Sequence, residues 1–431
     1  MSPELIGALG VVVLVVLMFA RMWIGTAMAF VGFIGIIIIR GSNQAFVMLG
    51  SLPYQNIAFY VISAIPLFVL MGIVIANSGI GESLYNTAYK WIGQLRGGLA
   101  MATVMACALL AAITGISGPA VVTMGKIALP EMKKYGYDEK MATGSIACAG
   151  TLAFLIPPSM AFILYGILSE QSVGKLFMAG ILPGLLLAIL FALTILLMTT
   201  LRPGSGPSGP KTSFKEKIVS LKGTWHMVLL FILVLGGIYG GIFTPTEAGA
   251  VGAFGAIVIA SVSRRLNFST FLKSVLETAQ MTAFILLLLV GAFIFMHFMA
   301  VSKIPIMLGD VVSGLNVPNI VILIAIIILY LILGMFLDII SAVVLTIPVI
   351  YPVILAIGLD PIWFGVLVVI LIEVGVVTPP VGMEVYILSG ISGIPAGTIF
   401  RGVVPFLLAV LVCIILLILF PQIALFLPST M

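Results

Sequence analysis

Apolar runs of about 20 residues, the length that crosses a bilayer as one helix, recur along the whole chain between short polar or glycine-rich breaks. The pattern predicts helices near 3–20, 22–40, 57–77, 177–201, 225–243, 246–262, 275–300 and 403–425. Other apolar segments do not read as straight spans. GTLAFLIPPSMAFILYG (150–166) carries Pro157 and Pro158 in its middle, and IEVGVVTPPVGMEVYILSG (372–390) carries Pro379 and Pro380. Adjacent prolines remove two backbone donors and clash with the preceding turn, so the helices over 142–170 and 362–390 must break there. Segments 97–137 and 319–357 read as re-entrant hairpins, with tips near TGISGPAVVT (114–123) and GMFLDIISAVVLT (334–346). At the first tip Gly115, Gly118 and Pro119 are expected to stop a helix. The amphipathic stretch ESLYNTAYKWIGQLR (82–96) suits a helix lying at the membrane interface, with a counterpart around 304–318. The predicted fold is an all-α polytopic membrane protein.

Composition agrees: 62% of residues are hydrophobic and 8% are charged, a balance that leaves no polar shell for a soluble chain. A transmembrane barrel would show short alternating segments instead. The net charge of +5 is spread over short loops, so it marks the cytoplasmic side of a membrane protein rather than a nucleic-acid partner. The apolar N-terminal segment reads as a first membrane helix, lacking the positive start and cleavage site of a signal peptide. Cys107, Cys148 and Cys413 lie in apolar runs without metal-ligand spacing and read as small buried hydrophobes. His226 and His297 read as packing histidines in preference to proton relays. No phosphate-binding loop, nucleophile–base pair or catalytic metal set is present, so an enzyme is not expected.

The chain also matches itself at an offset of 222 positions. Ala120, Val121, Val122, Pro130, Gly136, Asp138, Pro157, Pro158, Gly180 and Pro183 fall on Ala342, Val343, Val344, Pro352, Gly358, Asp360, Pro379, Pro380, Gly402 and Pro405. Matched prolines, glycines and an aspartate are informative because each dictates a backbone feature. The chain therefore divides into a first repeat at 1–201, a basic cytoplasmic linker at 202–223, rich in Gly, Pro and Ser and expected to be flexible, and a second repeat at 224–431. Lys126, Lys133, Lys134 and Lys140 mark the 126–140 loop as cytoplasmic, whereas its partner 348–362 has no Lys or Arg. Equivalent loops on opposite sides describe an inverted repeat, an arrangement of secondary transporters. Both termini then fall on the non-cytoplasmic side.

Irregular backbone at membrane depth is tolerated only where protein buries it or where it lines a cavity. Its free carbonyls can bind a cation and its free amides an anionic group. Two quasi-equivalent sites are expected, each built from one hairpin tip and one helix break. Ser117, Thr123, Ser159, Ser341, Thr346 and Thr378 offer oxygens beside backbone carbonyls, a donor set for a hard cation such as sodium and for no transition metal. Asp338, at the second tip, is open to two readings: a functional acid within the membrane or a cap on the hairpin backbone. Glu373 and Glu384 flank the second double proline and could face water. Glu247, in TPTEAGA, reads as an acid at a helix N-terminus. No Lys or Arg sits at either tip, so an anionic substrate would rest on amides, hydroxyls and bound cations.

AIPLFVLMGIVIANSGI (64–80), RGGLA (96–100), GISGPA, GTLAFLIPPS, TPTEAGA, GMFLD and TPPVGM together resemble the large membrane subunit of TRAP (tripartite ATP-independent periplasmic) transporters, in order and over nearly the whole chain. The resemblance implies an elevator-type permease driven by sodium, with no other cofactor. It implies two partners, a small four-helix membrane subunit and a periplasmic binding protein. The cargo it implies is an organic acid such as sialic acid, a C4-dicarboxylate or a 2-oxo acid, taken up across the inner membrane of a bacterium or archaeon. Carried over, one sodium site would involve Ser117, Ala153, Ile156 and Pro158, with a substitution at Ala153, where many members have glycine. The other would involve Gly334, Gly375, Thr378 and Val381. Gly118, Pro119, Pro157, Asp338, Ser341, Pro379 and Pro380 would form the tips and substrate-facing backbone. A stand-alone sodium–dicarboxylate symporter of similar fold is the alternative. A channel or an antiporter fits less well, for want of a pore motif or paired midplane carboxylates.

Overall fold

The computed structural model describes residues 1–314 and 317–431, which form α-helices and two short 3-10 turns. Among the described residues, seven helices are long and apolar enough to cross a bilayer, or eight with the bent pair Phe214–Leu221 and Trp225–Tyr239. Apolar side chains stay exposed in rows, as Leu185, Ile189, Leu193 and Leu196 do along Val173–Leu201. That surface suits lipid contact, since acyl chains solvate it as well as a protein interior would.

Pairs of helices separated by short breaks occupy the segments read as hairpins and as broken helices. The first hairpin is Gly98–Thr114 with Ser117–Lys134, and the first broken helix is Glu139–Leu155 with Met160–Ser169. The second hairpin is Asn319–Gly334 with Ile339–Ala356, and the second broken helix is Pro361–Val376 with Met383–Ser392. The returning hairpin arms are each 18 residues long and start 222 positions apart. The matched residues perform matched tasks. Gly136 and Gly358 both adopt φ +72°, a left-handed conformation at which a side chain would be strained. Asp138 and Asp360 both cap a broken helix: Asp138 Oδ1 accepts from the amides of Lys140 and Met141 at 3.0 Å. Asp360 Oδ1 accepts from Ile362 and Trp363 at 2.8 and 2.9 Å.

The helices pack in two groups. Pro3–Phe19, Ile24–Arg40, Ser42–Ile57, Ala64–Asn77, Trp225–Tyr239, Pro245–Val262 and the 34-residue Phe268–Val301 form one. The hairpins, the broken helices, Val173–Leu201 and Ala396–Leu419 form the other. The amphipathic helices Ile80–Ile92 and Ile304–Gly314 connect them along the chain. Positions 315 and 316, at the end of the predicted interfacial segment 304–318, lie outside the described residues.

In the second group the repeats interleave. The span Glu139–Ser169 is 94% buried, against 28% for Val173–Leu201, so protein rather than lipid surrounds the first break. Glu139–Leu155 packs on Ala396–Leu419 so closely that a Cβ on Gly144 would lie 2.1 Å from Gly402 O. Tyr165 Oη donates to Pro361 O at 2.6 Å, and Phe191 meets Phe406 edge-on at 5.7 Å. Without a hydrophobic driving force between helices in lipid, close backbone approach at small residues and cross-helix hydrogen bonds hold such a group together.

Three expectations are corrected. Residues 41–56, left without an element, form the helix Ser42–Ile57, whose Asn, Gln and Ser content masks the apolar signal of a span. The linker 202–223 is pinned rather than free: Gly206 O accepts from Gly97 N at 2.8 Å, Ser205 O from Asp138 N at 2.9 Å and Gly93 O from Gly209 N at 2.9 Å. It also contains the helix Phe214–Leu221, started by a Ser213–Glu216 capping box. The capping Glu216 is held below the usual carboxylate range, chiefly by the Ser213 backbone amide. Finally, Gly118 and Pro119 begin a helix instead of stopping one. Gly115 closes the outgoing arm at φ +62°, and Pro119 sits in the first turn of the returning arm, where no amide partner is lost.

Candidate functional site

Each hairpin tip meets the helix break of its own repeat. At the first, Gly115 O accepts from Met160 N at 3.4 Å, and a Cβ on Gly115 would lie 2.5 Å from Pro158 O. Only glycine permits that approach. The break is tied across by Ser159, whose hydroxyl donates to Phe154 O at 2.5 Å and accepts from Phe162 N at 3.4 Å. Ser159 is therefore a cap and a staple, with its hydroxyl already engaged. Ala153, Ile156, Pro157 and Pro158 are all buried, as is Ser117. Ser117 begins the returning arm on the far side of the turn.

At the second, Gly334 ends the outgoing arm against Gly375. A Cβ on Gly375 would lie 2.1 Å from Gly334 C, and one on Gly334 would lie 3.1 Å from Gly375 Cα. Thr378 folds back on the same helix end, its amide and hydroxyl both donating to Gly375 O at 3.0 Å. Gly334, Gly375 and Thr378 thus converge, while Pro379, Pro380 and Val381 are exposed. The two breaks differ in this respect: the first is sealed and the second is open. Both Pro–Pro bonds are cis.

Asp338 caps the returning arm of the second hairpin. Its Oδ2 accepts from Ser341 N at 3.2 Å, which caps Ile339–Ala356. Thr346 is also engaged, its Oγ1 within 2.7 Å of Ala342 O and 2.8 Å of Tyr330 Oη. Glu247 forms the expected capping box with Thr244, accepting from its amide at 2.8 Å. His297 is exposed beside Asn43, Gln44, Ser51 and Gln55 in a cavity of about 390 Å³, so it is not a packing histidine. The helix Ser42–Ile57 that supplies this polar edge is the element the sequence pattern did not reveal.

Glu373 and Glu384 depart furthest from expectation, because neither faces water. Both are buried, at 1% and 0% exposure. Among the described residues, neither oxygen of Glu373 has a hydrogen-bond partner, and Glu384 has one on Oε1 alone. That partner is the Ser117 hydroxyl, which donates to it from the first hairpin tip. Sequence order hides this pairing, since the two residues stand 267 positions apart. Glu373 lies in the last turn of Pro361–Val376, buried without a hydrogen-bond partner among the described residues, which is costly. Replacing it with leucine is expected to stabilise the fold by roughly 1–3 kcal/mol, read as a higher thermal midpoint in detergent. An unchanged or lower midpoint would point to an unseen partner.

A second cavity of about 660 Å³ lies between Ile80–Ile92 and the returning arm of the first hairpin, lined by Glu82, Tyr85, Tyr89, Lys126, Glu131 and Arg265. Arg265 reaches over from the other helix group to Gly79 O at 2.8 Å and Ser83 Oγ at 3.1 Å. Among the described residues no group of three or more His, Cys, Asp or Glu is placed to hold a metal. The donors at both tip–break contacts are oxygens, carbonyls above all, as a hard monovalent cation needs.

Comparison with known proteins decides the family. Residues 11–423 match the tripartite ATP-independent periplasmic transporter, DctM component. The chain belongs to this TRAP transporter family. It is similar to the C4-dicarboxylate TRAP transporter large permease protein DctM of Pseudomonas aeruginosa, with 34% identity over 377 residues, 87% of this chain and 88% of that one. It is also similar to the sialic acid TRAP transporter large permease protein SiaM of Vibrio cholerae, with 32% identity over 417 residues and 96% of each chain covered. Its fold resembles the Alcanivorax borkumensis YdaH transporter, with TM-score 0.63 at 16% identity, over 90% of this chain and 88% of that one. The TRAP resemblance carried by the motifs is thereby established. The chain is a multi-pass membrane transporter component and not an enzyme. Membership also favours the tripartite reading over a stand-alone symporter.

Proposed function

We propose that this chain is the large permease subunit of a sodium-coupled importer of an organic acid, working by an elevator movement. The observation that carries the reading is the pairing of a hairpin tip with a broken helix in each repeat, through Gly115 and Pro158 in one and Gly334 and Gly375 in the other. Free carbonyls at such breaks suit sodium, and free amides suit a carboxylate. Ser117, Ala153, Ile156 and Pro158 make up the first proposed sodium site, and Gly334, Gly375, Thr378 and Val381 the second. One sodium charge crossing 100 mV supplies roughly 2.3 kcal/mol, so two ions would drive strong accumulation. The interleaved group of hairpins and broken helices is the moving body. The group around Phe268–Val301 is its support, and Ile80–Ile92 and Ile304–Gly314 are the arms between them.

The repeats are inverted in the membrane, on the charge difference between 126–140 and 348–362. Both termini are then non-cytoplasmic, in the inner membrane of a bacterium or archaeon. A small four-helix membrane subunit and a periplasmic binding protein complete the system, and the binding protein selects the acid. Relatives named for C4-dicarboxylate, sialic acid and isethionate support an organic acid as the class.

Crosslinked purification from native membranes, followed by reconstitution of what is recovered, tests this reading. The expected result is a small membrane subunit and a binding protein, and uptake by the reconstituted assembly that requires an inward sodium gradient. Uptake of free acid by the chain alone would overturn the tripartite part. Uptake indifferent to sodium would overturn the coupling.

A further inference from the structure

We propose that Glu384 is a ligand of the first sodium site, so that the second repeat supplies the one formal negative charge that the first repeat's site lacks. This rests on the sodium-coupled reading above and extends its ligand set. Of the first set, Ala153, Ile156 and Pro158 bring only backbone oxygens, and Ser117 brings a neutral hydroxyl. Glu384 Oε1 accepts from that hydroxyl, which places its carboxylate at the mouth of the first tip. Its other oxygen, Oε2, is fully buried and has no partner among the described residues.

The placement follows from packing. Met383–Ser392 runs along the returning arm Ser117–Lys134, and a Cβ on Gly125 would lie 2.9 Å from Leu388. Glu384 is thus held in the first turn of its half-helix, against the first turn of the arm. Among the described residues the ion pair Lys273–Glu277 lies elsewhere, and no Lys or Arg is paired with Glu384. A carboxylate buried without a counter-charge costs several kcal/mol. In a cation-coupled transporter the ion itself supplies that charge. Oxygen-rich sites gain affinity with each added carboxylate, so Glu384 would tighten the first site. Sodium would also bridge the repeats there, linking occupancy at the first tip to the position of the second broken helix.

The test is sodium-dependent thermal stabilisation of the purified chain in detergent, with potassium holding ionic strength constant. This readout needs neither partner nor substrate. Glu384→Gln keeps the shape and the hydrogen bond to Ser117 while removing the charge. The sodium concentration for half-maximal stabilisation should rise by about tenfold or more, with Glu384→Asp falling between the two. Ser117→Ala, losing a neutral ligand, should produce a smaller rise and serves where Glu384→Gln folds poorly. An unchanged sodium response in Glu384→Gln overturns the proposal while leaving sodium coupling intact. A response whose pH dependence alone changes would make Glu384 a proton carrier and overturn it too. No sodium response in the wild-type chain would remove the sodium reading itself, and with it this site.

Discussion

Gly375→Ala should reduce sodium-driven uptake by at least about tenfold. The added methyl would lie 2.1 Å from Gly334 C and 2.4 Å from Gly334 O. Both neighbours are backbone, so no side chain can rotate away. The outgoing arm of the second hairpin must instead move off the second broken helix. That shift draws Gly334 away from Thr378, which stays on the broken helix because its amide and hydroxyl are both tied to Gly375 O. Overpacking of this kind costs about 1–3 kcal/mol in a core, which a large membrane protein can survive. The variant is therefore expected to purify folded and to fail in transport. Reconstituted uptake and the sodium concentration for half-maximal uptake give the answer. Wild-type values for both would mean that the second tip–break contact is not part of the transport site.

Gly144→Leu should act on the fold instead. Gly144 and Gly402 bring the first broken helix and Ala396–Leu419 into backbone contact, with a Cβ on Gly402 lying 2.0 Å from Lys140 O. A leucine at Gly144 must force apart two helices from different repeats, within the group that buries the first break. The expected cost exceeds about 3 kcal/mol. It should appear as loss of monodisperse protein on size-exclusion chromatography and a sharply lower thermal midpoint. A folded variant with an unshifted midpoint would show that this contact opens without penalty.

The difference between these outcomes reflects what the chain states openly and what it conceals. The double prolines announce both breaks because an interrupted donor pattern is a local fact. Asp138 and Asp360, Gly136 and Gly358 could be matched by eye because caps and left-handed turns depend on a few neighbouring residues. Asp338 was also visible, but its task was not. Choosing between a cap and a transport acid required the position of the Ser341 amide. The sequence pattern does not show Ser42–Ile57 because its polar residues, which line an edge near His297, dilute the apolar run of a span. The linker read as flexible from composition alone, yet the carbonyls of Gly206 and Ser205 answer the amides of Gly97 and Asp138. Nothing in Gly, Pro and Ser content records such long-range partners.

By itself the sequence determined the class of the molecule, most of its apolar helices, its two breaks and two hairpins, and the offset that relates them. These rest on period, length and backbone chemistry, which act over a few turns of helix. Tertiary structure alone decided which carboxylates are buried, that Ser117 of one repeat faces Glu384 of the other, and that the first break is sealed while the second is open. Burial and pairing depend on which surfaces meet after the repeats interleave. Residues 267 positions apart have no local signal by which to find each other.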